Sequence, residues 1–461
     1  MAKVRRQHFP TLFLILFDLL MVRRIAFGDD TSQPTTSPQE QTWNFHIQTT
    51  ETVQGDPAFS ADYSGPNSLT NTGEVKETAS IDLFAGLRLW QGAEAHVDGL
   101  LWQGFGLTDT LGVDDFPNAE AYKAGTWLPE FSFARLFIRQ TIGLGGPQED
   151  VPDDQLTLAG KQDISRITFT IGRFTPTDIF DTNTYANNGA TQFMNWAFVN
   201  NVAWDYSADS IGFTTGLSVE LNQPNWTLRY GFFQMPGVAN TWTIEDAGTL
   251  TYPAQSPAGD GEFWKSWGMP AELEMRYHIK ARPGAVRLMA WLNQANMGSY
   301  SEALSVPGTN IALTRAYRYK YGFGINWEQE VADSVGIFSR LGWNDGLQEA
   351  WTYTDVNYSA SLGVSVIGQS WHRPNDTFGL AGVISGISSE NQKFLEAGGT
   401  GILDGDGALN YGWEKVLETY YDFSVWGGIH IALDYQYVDN PAFNRDRGPV
   451  SIFGARLHWQ I

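Results

Sequence analysis

Charged side chains recur in this chain at positions where alternation with apolar residues gives them a face of their own. Arg88, Arg135, Arg139, Arg166, Arg229, Arg276, Arg287, Arg340 and Arg456 are placed in this way, and so are Asp82, Glu94, Asp98, Glu220, Glu272, Glu274, Glu328 and Asp434. Successive side chains of a strand point to opposite faces, so the spacing gathers both signs of charge on one side of a sheet. Such a surface offers donors and acceptors to a neutral polyol, whereas a strongly anion-selective passage calls for basic side chains alone. The competing reading is a lattice of ion pairs that only braces the wall. A second set of candidates lies in residues 174–200. There Asp178, Asp181, Asn183 and Asn195 suit turn capping, and Phe180, Tyr185, Phe193 and Trp196 suit anchoring against a wall. Flat rings stack on the apolar faces of sugars, and charged or amide groups bind their hydroxyls. Such side chains would form a binding surface where this loop, or a neighbouring one, folds inward. Its candidate residues are Arg173, Asp178, Asp181, Asn183, Tyr185, Asn195 and Trp196, with Arg88, Glu94 and Arg135 on the wall. Simple packing of the rings is the alternative.

Other chemistry is not signalled. The histidines at 8, 46, 96, 278, 372, 430 and 458 have no ligand spacing, so neither a metal nor a cofactor is expected. No Gly-x-Ser-x-Gly elbow and no phosphate-binding loop occur. Asp404-Gly405-Asp406 begins like a calcium loop, but Leu409 stands where that loop needs glycine and Lys415 where it needs glutamate. Asn225-Trp226-Thr227, Asn357-Tyr358-Ser359 and Asn375-Asp376-Thr377 are sequons by pattern only. A barrel enzyme such as a lipase would need a Ser-His pair, and His278 and His430 have no evident serine partner, so no catalysis is expected.

The elements that must carry these residues are strands. In the last hairpin Ile429, Ile431, Leu433, Tyr435 and Tyr437 alternate with His430, Ala432, Asp434 and Gln436; then Phe453, Ala455, Leu457, Trp459 and Ile461 alternate with Gly454, Arg456, His458 and Gln460. Like segments recur from Trp43 onward, among them 81–89, 95–101, 135–139, 166–171, 217–232, 273–292 and 319–343. Val202–Tyr206 is either a further strand or a loop end. Short turns are expected near 91, 223, 283, 331 and 426, and long Gly-, Asp- and Pro-rich connections near 104–130, 236–268, 295–316 and 387–412. Outer-membrane barrels alternate short periplasmic turns with long external loops in this way. About 430 residues, at roughly 27 per strand and loop, give 16 strands, a size that leaves an aqueous lumen.

Composition agrees with that class. The chain has 461 residues with 48 Gly, 28 Phe, 18 Tyr, 18 Trp and no Cys, which excludes disulfides and thiolate chemistry. After the leader, no segment approaches the roughly 20 apolar residues of a spanning helix. Residues 1–28 read as a signal peptide: Lys3, Arg5 and Arg6, an apolar run from Phe9 to Val22, and Ala26-Phe27-Gly28 before a cleavage site near Asp29. Asp18 and Arg23-Arg24 run against that pattern, and an uncleaved anchor is the alternative. Residues 29–42 form a polar, flexible segment, and 43–461 the barrel domain. The formal charge is −22, and with a net +4 in the first 28 residues the remainder carries −26. Nucleic acid is excluded as a partner of such a surface, while divalent cations bridging acidic loops to lipopolysaccharide remain compatible with it.

The run from Gly172 through Arg173, Phe174, Thr175, Pro176, Thr177, Asp178, Ile179, Phe180, Asp181, Thr182, Asn183, Thr184 and Tyr185 to Ala186, continuing to Gln192-Phe193-Met194-Asn195, resembles the carbohydrate-selective porins of the OprB family. So do Tyr63-Ser64-Gly65-Pro66-Asn67-Ser68-Leu69, then Ala397-Gly398-Gly399 with Gly405-Asp406-Gly407 before Tyr411 and Glu414, and the stretch from Tyr435 to Pro441. The resemblance runs over nearly the whole chain after the leader. It implies an all-β, transmembrane antiparallel barrel of 16 strands with long external loops and an inward-folded constriction loop. It also implies passive uptake of sugars, a protein often monomeric, and arginine with acidic side chains at the narrow point. The terminal Ile461 departs from the phenylalanine that ends many such barrels.

The expectation is thus a porin of the bacterial outer membrane, exported by a cleaved leader, that passes mono- and small oligosaccharides. Its partners would be carbohydrate solutes, outer-membrane lipid and lipopolysaccharide, and the barrel-insertion machinery, with the protein a monomer or homo-oligomer. The alternatives are a general diffusion porin for small polar solutes and a secreted glycan-binding β-protein.

Overall fold

The structure, a computed structural model, describes residues 40–121, 125–237, 239 and 263–461. The leader, residues 29–39 and most of the connection expected near 236–268 lie outside the described residues. The strands are β1 (Trp43–Asp56), β2 (Glu74–Trp90), β3 (Ala93–Gly104), β4 (Thr126–Gly143), β5 (Gln148–Val151), β6 (Gly160–Asp163), β7 (Arg166–Phe174), β8 (Thr214–Gln223) and β9 (Trp226–Gln234). They continue as β10 (Trp267–Ile279), β11 (Arg282–Met297), β12 (Ala316–Ala332), β13 (Val335–Asn344), β14 (Tyr358–Gly368), β15 (Arg373–Gly386), β16 (Glu414–Trp426), β17 (Ile429–Asp439) and β18 (Val450–Gln460). All but β5 and β6 form one closed barrel of 16 antiparallel strands.

Alternation decides which side of each strand faces out. Along β12, Tyr317, Tyr319, Tyr321, Phe323 and Ile325 are exposed, whereas Lys320, Asn326 and Glu328, on the opposite face, are buried. The same inversion holds at Leu136 and Ile138 in β4, at Ile431 and Leu433 in β17, and at Phe453 and Leu457 in β18. A soluble sheet buries its apolar face against a second layer; here that face covers the outside of the cylinder, the arrangement lipid stabilises. β1 and β18 pair from Gln48↔Gln460 to Gly55↔Phe453. This seam removes the free edges, whose backbone groups would have no partner in a bilayer.

One end of the barrel carries tight turns. At Gln91-Gly92 the glycine has φ 73°, and a Cβ there would lie 2.2 Å from the Thr141 carbonyl oxygen. The turn expected near 283 falls instead at Lys280-Ala281, both with positive φ (50° and 66°), while Arg282, Pro283 and Gly284 already pair within β11. Similarly, residues 126–130 belong to β4, and Val202–Tyr206 is loop. A larger difference is the excursion at 144–165, which interrupts the tight-turn end. It contains the hairpin β5–β6, joined from Gln148↔Asp163 to Val151↔Gly160. Its four-residue strands, QEDV and GKQD, lack an apolar face, so alternation does not reveal them.

The interior is also fuller than a wide aqueous lumen. Residues 175–213 fold into the barrel and carry Phe180, Phe193, Phe198, Trp204 and Tyr206, all buried. Phe193 and Phe198 join inward-facing Phe338, Val383, Val416 and Ile452 in one apolar cluster. Phe180, Trp204 and Tyr206 join Phe137, Phe233 and Trp291 in another. Inward-facing positions such as Phe338, Val383, Val416 and Ile452 are apolar because they receive a loop rather than solvent.

Candidate functional site

The inward loop is a crossbar fastened to the far wall. Asp181 Oδ2 lies 3.0 Å from Arg340 Nε on β13, and Arg340 also donates to the Phe198 carbonyl at 2.6 Å and the Asp181 carbonyl at 3.0 Å. Asn326 on β12 donates to Asp181 Oδ1 and accepts from Asn183 Nδ2, both at 2.8 Å. The backbone N–H of Thr184 donates to Glu328 at 2.7 Å. On β16, Glu418 accepts from the N–H groups of Met194 (2.6 Å) and Asn195 (3.0 Å). Asn195 caps the one-turn helix Trp196–Val199 by accepting from Ala197 N–H at 2.9 Å, and its amide donates to Gln436 on β17 at 3.0 Å. Arg456 on β18 donates to the carbonyls of Gly189 and Gln192 at 2.7 and 2.9 Å. Irregular backbone inside a barrel needs partners for its polar groups, and the wall's charged side chains supply them.

On the tight-turn side of the crossbar lies a cavity of about 720 Å³. Its wall comes from β2 to β4 and β7 to β9, its roof from Asp178, Ile179 and Thr182, and its floor from the β5–β6 excursion. Five basic side chains (Arg88, Arg139, Lys161, Arg166, Arg229) and five acidic ones (Glu40, Glu94, Asp163, Asp178, Glu220) line it, with no aromatic ring among the described lining residues. Arg88 lies 3.4 Å from Glu94, which lies 3.2 Å from His96. Arg135 holds Asp178 with two bonds of 2.8 Å and reaches Asp98 at 2.7 Å, which fixes the roof carboxylate. Arg229 meets Glu220, Glu272 and Glu274 at 3.0, 2.8 and 2.9 Å. The excursion is tied in by Arg139 to the Leu156 carbonyl at 2.8 Å, by Asn44 to Asp153 at 2.8 Å, and by backbone bonding between Gln41 and Ala159 at 3.0 Å. Hydrogen bonds from the Gln148 side chain and the Gly145 N–H hold the Asp163 carboxyl below its ordinary range, so it is charged at neutral pH.

On the long-loop side, three loops bring aromatic rings together. Phe116 stacks on Trp196 at 5.1 Å and 17°, Trp196 meets Tyr353 at 5.0 Å and 32°, and Tyr353 stacks on Tyr206 at 5.0 Å and 24°. Trp196 and Tyr353 are partly exposed, while Phe116 and Tyr206 are buried.

The residues singled out from sequence therefore separate. Arg88, Glu94 and Asp178 line the cavity, and Arg135 positions Asp178. Trp196 is in the aromatic stack. Tyr185 lines a smaller cavity of about 340 Å³, its ring against Gly336, where a Cβ would lie 2.0 Å from it. Asp181, Asn183 and Asn195 are buried fasteners of the crossbar, and Arg173 is buried with a 2.6 Å bond to Asp209. Arg139, Arg166, Glu220 and Arg229, which the alternation turns inward, join the cavity lining beyond the expected site residues. The excursion's Lys161 and Asp163 were missed altogether; the one available signal was the length of polar chain between the strands ending at 143 and beginning at 166.

The sequence matches the family described as carbohydrate-selective porin, OprB family, over residues 66–461. Among curated proteins, none matches the chain by sequence. The high-pH structure of Pseudomonas putida OprB superposes with a TM-score of 0.67 at 16% identity, covering 91% of this chain and 94% of that one. The low-pH structure of the same protein gives 0.48 at 13% identity, with 91% and 93% covered. The outer-membrane channel DcaP of Acinetobacter baumannii gives 0.49 at 9% identity, with 93% and 99% covered.

Proposed function

Because the chain belongs to the OprB family of carbohydrate-selective porins, and is thus a carbohydrate channel of the outer membrane, we propose a route through it. Mono- and small oligosaccharides meet the aromatic stack around Trp196, pass the edge of the crossbar near Asp178, and enter the mixed-charge cavity beside Arg88 and Glu94. Movement is passive, with no covalent step, and selectivity comes from pore size and weak binding. The observation that carries this reading is the order of surfaces: partly exposed stacked rings on one side of the crossbar and a cavity of balanced charge on the other. Rings offer stacking to the apolar face of a sugar, and paired charges offer donors and acceptors without favouring an ion of either sign.

The remaining parts of the reading fit the same frame. Residues 1–28 act as a cleaved leader, 29–42 link it to the barrel, and lipid, lipopolysaccharide and the insertion machinery are the other partners. A liposome-swelling series tests the function. Sugars are expected to enter faster than amino acids or linear polyols of equal mass; rates that follow mass alone would establish an unselective diffusion channel instead.

A further inference from the structure

On the long-loop side of the crossbar, outside the lining of the mixed-charge cavity, three long loops bring carboxylates together. Asp114, Asp355 and Asp404 each place one carboxylate oxygen within 4.8 Å of the others, and all three residues are buried. They come from residues 105–121, 345–357 and 387–413, so no linear motif joins them. Two further observations separate this cluster from an ordinary acidic patch. Asp114 and Asp404 are both 0% exposed, yet Asp114 Oδ1 accepts no hydrogen bond among the described residues, and neither oxygen of Asp404 accepts one from an N–H group or a basic side chain among them. The backbone also makes room there, since a Cβ on Gly401 would lie 2.1 Å from Asp404 Oδ1 and 2.7 Å from Asp355 Oδ2.

The surroundings hold the carboxylates in place. Asp114 Oδ2 accepts from the Asp355 N–H at 2.9 Å, and Asp355 Oδ2 accepts from the N–H groups of Ile402 and Leu403 at 2.9 and 3.2 Å. Glu414, at the start of β16, accepts from the Asp114 N–H at 3.2 Å and adds another negative charge. Among the described residues, no ion pair joins Asp114 or Asp404 to a basic side chain. Buried like charges need a counter-charge, and an all-oxygen donor set on irregular loops suits a hard cation of flexible coordination.

We propose that Asp114, Asp355 and Asp404 form a Ca²⁺ site that clasps the three loops. Two oxygens bound to one Ca²⁺ at about 2.3–2.6 Å lie within roughly 5 Å of each other, as these do, and backbone carbonyls or water complete the shell. The ion replaces repulsion between the loops with a shared contact, so it stabilises the folded loops at the external mouth.

The test uses the full chain folded in detergent, stripped with EDTA and freed of lipopolysaccharide. Calorimetric titration with Ca²⁺ alone is expected to show one saturable site per chain. Tb³⁺ should occupy the same site and luminesce through Tyr300, whose hydroxyl is 3.4 Å from Asp355 Oδ1, and Ca²⁺ should quench that signal by displacement. Asp404→Asn and, independently, Gly401→Ala should weaken binding at least tenfold while heat-modifiable gel mobility still reports a folded barrel; exposed Asp62→Asn should leave it unchanged. The wild-type titration stands alone if either variant fails to fold. No saturable site in the wild type, binding of Mg²⁺ but not Ca²⁺, or unchanged Ca²⁺ binding in a folded Asp404→Asn protein would overturn the proposal.

Discussion

The wall from β2 to β9 and the wall from β12 to β18 are built from the same alternation, yet their inward charges have different work. On the first wall, Arg88, Arg139, Arg166 and Arg229 border an open cavity. On the second, Arg340, Glu418 and Arg456 are buried against the backbone of the crossbar. An inward charge is thus part of a solute surface or a fastener according to whether a loop lies over it. Sequence alternation places the charge, and tertiary contact assigns its role.

The largest way to break the contrast is Arg340→Ala. It leaves the Asp181 carboxylate buried without its guanidinium, and removing one partner of a buried pair costs about 3–5 kcal/mol. Urea unfolding should shift by that order, and single-channel conductance should rise as the crossbar loosens. Next comes Glu418→Ala, which strips the Met194 and Asn195 N–H groups of their acceptor. Buried donors left unpaired cost about 1–3 kcal/mol, and the same two measurements read the effect.

Changes on the solute side should leave the fold largely alone. Trp196→Ala removes a stacking surface worth about 0.5–1.5 kcal/mol, so sugar block of channel current should weaken roughly two- to tenfold. Smallest in stability is Arg88→Gln. Its ion pair is partly solvated, so unfolding should move by no more than about 1 kcal/mol, while the reversal potential in a salt gradient shifts towards cation preference. A stability loss for Arg88→Gln as large as that of Arg340→Ala would erase the distinction between the two walls.

The barrel was legible because each strand's outward row is apolar and long, as β12 shows from Tyr317 to Ile325. The crossbar was legible in part: a run rich in Asp, Asn and aromatic residues signals a loop with an order of its own. What sequence could not show was which members touch solute. Asp178 and Asp181 are three residues apart, but one roofs the cavity and the other is sealed beneath Arg340, 159 residues away. The β5–β6 excursion escaped because short polar strands carry no periodic signal. The Asp114, Asp355 and Asp404 cluster escaped because its members are far apart in the chain and meet only when the loops close over one another.

The crossbar's anchorage also orders assembly in time. Arg135 on β4 holds one end at Asp178, but its other seats lie on β12, β13, β16, β17 and β18, all made after it, so the loop is not held across the bore until most of the cylinder exists. Contacts of such separation form late in folding. The bore of the pore is accordingly set near the end of assembly, and a cylinder caught before that step would be a wider, less discriminating hole.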